Sequence, residues 1–198
     1  TQGDDYEAGI IKQGDANGSP VRDADGHYVY ADRGRVEYDG RDGNDVISGY
    51  QDNDTLKGGN GDDVIFGGAG SDQIDGGAGN DFIRGGIGND TLNGGADDDV
   101  LRGEQNNDIM NGGDGNDRLF GGLGQDTLYG DAGRYVLCGE EQNDILNGGD
   151  GGDQLFGGDA NDVLNGGAGI DRLYGGAGRD FLTGGLDADL FIFDAGDS

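Results

Sequence analysis

The residues best suited to do chemistry in this chain are aspartates, and they recur at a fixed interval. Asp45, Asp54, Asp63, Asp72, Asp81, Asp90, Asp99, Asp108, Asp117, Asp126, Asp144, Asp153, Asp162, Asp171, Asp180 and Asp189 follow a nine-residue spacing, broken only where Tyr135 takes the place of a carboxylate. Each closes a six-residue stretch such as Gly76-Gly77-Ala78-Gly79-Asn80-Asp81, in which turn-forming glycines bring main-chain carbonyls together. Carboxylates and carbonyls with no His or Cys nearby are hard oxygen donors. That set suits calcium better than zinc, and calcium accepts irregular geometry more readily than magnesium does. If these residues were turn formers only, Asn and Ser would interchange with Asp at this position, yet 16 of 17 are Asp.

The interval belongs to a longer pattern. From Gly40 to Ile192 the chain divides into 17 nonapeptides without an insertion. Position one is Gly in all 17, position two in 12 and position four in 11, while position eight is Ile, Leu, Met or Phe in all 17. After each turn a three-residue strand such as Phe82-Ile83-Arg84 points its middle side chain one way and its flanking two the other. One apolar residue in nine cannot make a helix face, which needs about three in seven. It can make a stack. Two nonapeptides form an 18-residue coil with a strand and a turn on each side, and successive coils add parallel strands about 4.8 Å apart, giving a rod of roughly 40 Å.

Composition limits the alternatives. The chain has 198 residues, 48 of them Gly, and a net charge of −29. Leu, Ile, Val and Phe supply only about a fifth of it, at the border of the disordered class. Phosphate recognition needs Lys and Arg, so nucleic acid is a poor partner, and no apolar run is long enough to be a transmembrane segment. A single Cys, Cys138, rules out an intramolecular disulfide framework. No HExxH, GxSxG or GxxxxGK[ST] motif is present, and the four Ser and one His form no triad spacing, so a non-catalytic module is expected. The lack of an initiator Met and the stop just after Leu190-Phe191-Ile192-Phe193 suggest a piece of a larger protein.

The repeat resembles the RTX, or hemolysin-type calcium-binding, nonapeptide, over residues 40–192. The resemblance implies an all-β fold, a right-handed parallel β-roll solenoid of 17 repeats, with calcium ions held between turns one coil apart by turn carbonyls and position-six carboxylates. Carried over residue by residue, the pairs on one edge are Asp45/Asp63, Asp63/Asp81, Asp81/Asp99 and Asp99/Asp117, resuming at Asp153/Asp171 and Asp171/Asp189. On the other edge they run without a break from Asp54/Asp72 to Asp162/Asp180. Fifteen turn pairs less the two that Tyr135 removes leave 13, and 13 divalent ions would nearly cancel the charge of −29. An expanded metal-free chain that folds on binding calcium is therefore expected. The resemblance further implies an extracellular, secreted or cell-surface setting, with export by type I secretion, where such rolls assist folding of an appended enzyme or toxin. An adhesive or structural segment of a surface protein is the competing role.

Three turns depart from the pattern: Glu104-Gln105-Asn106-Asn107, Glu140-Glu141-Gln142-Asn143, and Gly130 to Tyr135, where the phenol and Arg134 could replace the ion. The outward positions differ between the two sheets. One carries Val46, Val64, Phe82, Val100, Arg118 and Val136 with Ser48, Phe66, Arg84, Arg102, Phe120, Cys138, Phe156 and Tyr174, a largely apolar and aromatic face suited either to cross-strand pairing or to a neighbouring domain or second copy. The other carries Thr55, Thr91, Thr127, Asn93, Asn111, Asn147 and Asn165; such a ladder resembles an ice-binding surface, but Lys57, Gln73, Asp75 and Ile109 interrupt it. Residues 1–39 form an extension, in which Val21 to Tyr30 reads as a hairpin turning at Asp25-Gly26. Within it Asp15, Asn17, Asp23 and Asp25 are turn formers that could bind another ion, and His27 stands alone. Residues 193–198 begin a C-terminal flank.

Overall fold

The computed structural model describes residues 21–22, 28–29, 35 and 37–193. All regular structure among them is β. Nine strands, every second one from Val46–Gln51 to Leu190–Ile192, form one parallel sheet. The nine intervening strands, from Glu37–Asp42 to Phe181–Leu186, form the other. Every neighbour in either sheet lies 18 residues away, as in Leu101 opposite Leu119 and Leu128 opposite Leu146. The chain is thus a two-sheet solenoid, a β-roll, with one coil per pair of nonapeptides. The ladder starts at Glu37, three residues ahead of Gly40.

Strand length differs from the expected three residues. The strand beginning at Phe82 runs to Ile87, and most others also span six residues. Positions seven, eight, nine, two and three pair with the next coil, while position one is skipped, as in Phe82 to Arg84 and then Gly86 and Ile87 opposite Val100 to Arg102, Glu104 and Gln105. The glycine-rich half of the repeat is therefore strand as well as turn. Its small residues let neighbouring backbones approach closely enough to continue the ladder beyond the apolar positions. The turn shrinks to positions four to six, and even there the hydrogen bonding persists. The Gly61 amide donates to the Ala78 carbonyl at 2.7 Å, and the Val64 amide to the Asp45 carbonyl at 2.9 Å.

Positions six, eight and one are buried along most of the roll. Position eight forms the core: Ile47, Leu56, Ile65 and their successors to Leu173 are buried, joined by Tyr38 and Tyr135. Leu182 is half-buried and Phe191 is 39% exposed at the C-terminal end of the stack, so position eight is buried in 15 of the 17 repeats. The aromatic sheet fills its outer face by cross-strand pairing. The Phe66 and Phe82 rings meet edge to face at 6.4 Å, Phe156 and Tyr174 stack at 4.4 Å, and the Arg102 guanidinium lies 4.6 Å over the Phe120 ring.

Val21–Arg22 pairs antiparallel with Tyr28–Val29, with Val21 opposite Val29, one residue off the register that a two-residue turn at Asp25-Gly26 would set. Asp15, Asn17, Asp23, Asp25 and His27 lie outside the described residues, as do 194–198 of the C-terminal flank.

Candidate metal centre

The strand that follows each turn fixes the position-six aspartate, and the same few contacts recur along both edges of the roll. Oδ1 accepts a hydrogen bond from the main-chain amide of the aspartate one coil earlier. The Asp45 amide donates to Asp63 at 2.7 Å, the Asp63 amide to Asp81 at 2.8 Å, and the Asp90 amide to Asp108 at 2.7 Å. The row continues to the Asp162 amide on Asp180 and the Asp171 amide on Asp189. One oxygen of each carboxylate is thereby committed to the backbone.

The second oxygen is not. From Asp63 to Asp171, Tyr135 excepted, every position-six Oδ2 is buried and receives no hydrogen bond. It folds back onto the glycine at position one. A Cβ placed on Gly58 would stand 2.2 Å from Asp63 Oδ2 and 2.5 Å from the Gly76 carbonyl oxygen, and one on Gly76 would stand 2.3 Å from Asp81 Oδ2 and 2.6 Å from the Gly94 carbonyl. Position one is glycine because this cradle has no room for a methyl group. Two acceptor oxygens flank one point there with no donor hydrogen beside the Oδ2.

Positions two and four are glycine-rich for a different reason. Position two has positive φ in all 17 repeats and position four in all but Gly133. Where glycine is absent, an L-residue adopts the left-handed region: Glu104 at 80°, Asn106 at 75°, Glu140 at 81° and Gln142 at 76°. Three turns lack glycine at both positions, those of Tyr50/Asp52, Glu104/Asn106 and Glu140/Gln142, and all three keep the turn path. Asp108 and Asp144 remain buried in them like their neighbours.

Burial makes these carboxyls hard to ionise. Burial pushes the carboxyls of Asp99 and Asp108 up to about 8 and that of Asp144 up to about 7. The backbone amide bond pulls each of them down, and carboxylates one coil away push it up again. Asp81, Asp90, Asp117, Asp126, Asp153 and Asp162 are raised to about 6, with burial the main cause in each. Rows of buried carboxylates without a basic partner are costly unless protonated or bound to a cation.

The donor set fits a hard divalent cation. It consists of carboxylate and main-chain oxygens with no sulfur or imidazole. No three Asp, Glu, His or Cys side chains converge on one centre among the described residues, so a site here needs carbonyls as well as carboxylates.

Position five carries a second ladder, running opposite to the first. The amides of Asp62, Asn80, Asp98 and Asn116 donate to the side-chain oxygens of Asn44, Asp62, Asn80 and Asp98, each one coil earlier. Ser71, Asn89, Asn107 and Gln125 repeat this on the other edge. These bonds hold the Asp62 and Asp98 carboxyls below the usual range, so both stay ionised at the surface. The signal was present as Asn, Asp or Ser immediately before 11 of the 16 position-six Asp.

Tyr135 breaks the pattern while keeping its shape. It is buried, its amide donates to Asp153 Oδ1 at 2.9 Å, and its hydroxyl donates to the Gly113 carbonyl at 2.6 Å. Cys138 is half-buried, and burial pushes its thiol up to about 11, so it is a weak nucleophile at neutral pH.

Six overlapping matches to the RTX calcium-binding nonapeptide repeat model cover residues 39–137 and 139–198, and the chain belongs to that family. It is a family of structural, calcium-binding repeats. No curated protein matches the chain.

Proposed function

We propose that this chain is a non-catalytic module that folds around a row of calcium ions on each edge, held by the position-six aspartates and turn carbonyls. The observation that carries this reading is the buried Oδ2 of Asp63 through Asp171, Tyr135 excepted, which lies against the position-one glycine, beside a main-chain carbonyl oxygen in most turns, and receives no hydrogen bond. In each pair the carboxylates contribute charge and the carbonyls complete the oxygen shell. A divalent cation between them would offset the repulsion between successive coils. Each interior aspartate belongs to two pairs, so occupancy of one slot organises the next. Thirteen slots follow from the spacing of the aspartates.

Binding free energy is then folding free energy. A chain of this kind stays expanded where calcium is scarce and folds where it is plentiful. That behaviour suits export through a narrow channel followed by folding outside the cell. The roll thereby serves the folding and stability of a larger secreted or surface protein.

Equilibrium dialysis of the chain against calcium tests the reading. Saturable uptake of about a dozen ions, unmatched by magnesium at equal concentration, is expected. Uptake of none, or equal uptake of both ions, would contradict it.

A further inference from the structure

The residue that departs furthest from the repeat is also among the most completely enclosed. Tyr135 is 1% exposed at a position where every other repeat has Asp. Its ring lies in the cradle that a carboxylate oxygen fills elsewhere. A Cβ on Gly130 would stand 2.5 Å from Tyr135 Cδ2, as one on Gly121 would stand 2.4 Å from Asp126 Oδ2. The hydroxyl reaches past its own coil to the Gly113 carbonyl on the preceding one. The strand ladder passes through undisturbed, with the Val136 amide on the Asp117 carbonyl at 3.0 Å and the Gln154 amide on the Tyr135 carbonyl at 2.9 Å.

The surroundings change at the same coil. Position five of this edge carries Asn44, Asp62, Asn80, Asp98 and Asn116, each with a side-chain oxygen for the second ladder. It then carries Arg134, Gly152 and Ile170, which have none. Gly133 is the one position-four residue without positive φ. Both rows of the edge are therefore interrupted together, and Asp117 and Asp153 share no carboxylate.

We propose that Tyr135 is a built-in substitute for a metal ion: it clasps two successive coils by itself and divides the cation row of its edge into two blocks, one ending at Asp117 and one starting at Asp153. This rests on the calcium reading above. A phenol donating one hydrogen bond and filling the cradle gives the stack a contact whose strength does not depend on calcium concentration. Loading of the first block does not pass through a shared ligand to the second. Coupling through shared carboxylates runs on along the opposite edge, unbroken from Asp54 to Asp180.

Two variants of the full chain test this. Y135D restores the consensus carboxylate and should take up two more ions than the wild type, one with Asp117 and one with Asp153. Y135F keeps the ring and removes the hydroxyl. With calcium at half-saturation, hydrogen exchange of the strands Ile109–Gly115 and Thr127–Gly133 should be about tenfold faster in Y135F, while Thr55–Asn60 is unchanged. An unchanged ion count in a Y135D chain that retains its loaded β spectrum would overturn the division of the row. Equal exchange in Y135F and wild type would overturn the clasp. Failure of the calcium reading itself looks different, because the wild type would then take up no calcium.

Discussion

At the residue scale, the glycines of this repeat answer two separate demands. Position one is glycine for lack of space, since a methyl group would meet both a carboxylate oxygen and a carbonyl. Positions two and four are glycine-rich for their backbone angle, and other residues occupy them by adopting the left-handed region. The two demands predict opposite results from similar changes. Gly58→Ala should destabilise the loaded roll by about 2–3 kcal/mol through overpacking, and should weaken calcium uptake at that turn. Ala160→Gly, at a position with φ of 86°, should be neutral or stabilise by up to about 1 kcal/mol, because strain relief exceeds the added chain entropy. Calcium-dependent thermal unfolding of both variants distinguishes them. Equal destabilisation would show that the two positions have one role.

At the element scale, most turns carry two ladders of opposite direction with different work to do. The position-six row presents carboxylate oxygens to the interior, whereas the position-five row satisfies backbone amides and the side-chain amides of Asn80, Asn116 and Asn161 at the surface. Asp99→Asn keeps an oxygen for the Asp81 amide but removes the charge shared by two pairs. It should lower the ion count by one or two while leaving the loaded β spectrum in place. Asn89→Ala removes the acceptor of the Asn107 amide and should cost about 1 kcal/mol with no change in ion count. Dialysis and thermal unfolding on the pair would read both effects. The carboxyl rows also fix the direction of a pH effect. Their pKa values are raised in the folded chain, to about 8 for Asp99 and Asp108, so the folded form holds protons that the unfolded form has released. Without calcium, stability should therefore be greatest at acid pH and fall as pH rises from about 4 to about 8. In chelator, circular dichroism should show more β structure at pH 4.5 than at pH 8. A flat profile would contradict the burial of these groups.

At the scale of the whole molecule, the solenoid was legible because its repeat is local: an 18-residue coil follows from one apolar residue, one aspartate and a glycine-rich turn in every nine. The carboxylate positions could be read for the same reason. Strand length could not, because the six-residue strands depend on close approach of neighbouring coils, and glycines signal turns when read alone. The second ladder was hidden in the same way, since Asn80 and Asp98 look like ordinary turn residues until they stand one coil apart. Cys138 and the aromatic face likewise took their meaning from burial and from ring pairs across strands.

The charge of −29 ties these scales together. A thin core of one side chain per nonapeptide holds two rows of buried carboxylates, an arrangement that needs cations or protons to be stable. Far-UV circular dichroism of the chain during a calcium titration from excess chelator, at neutral pH, tests this most directly. The prediction is an expanded, largely unstructured spectrum in chelator that converts cooperatively to a β spectrum as calcium is added. A full β spectrum already present in chelator would contradict the account.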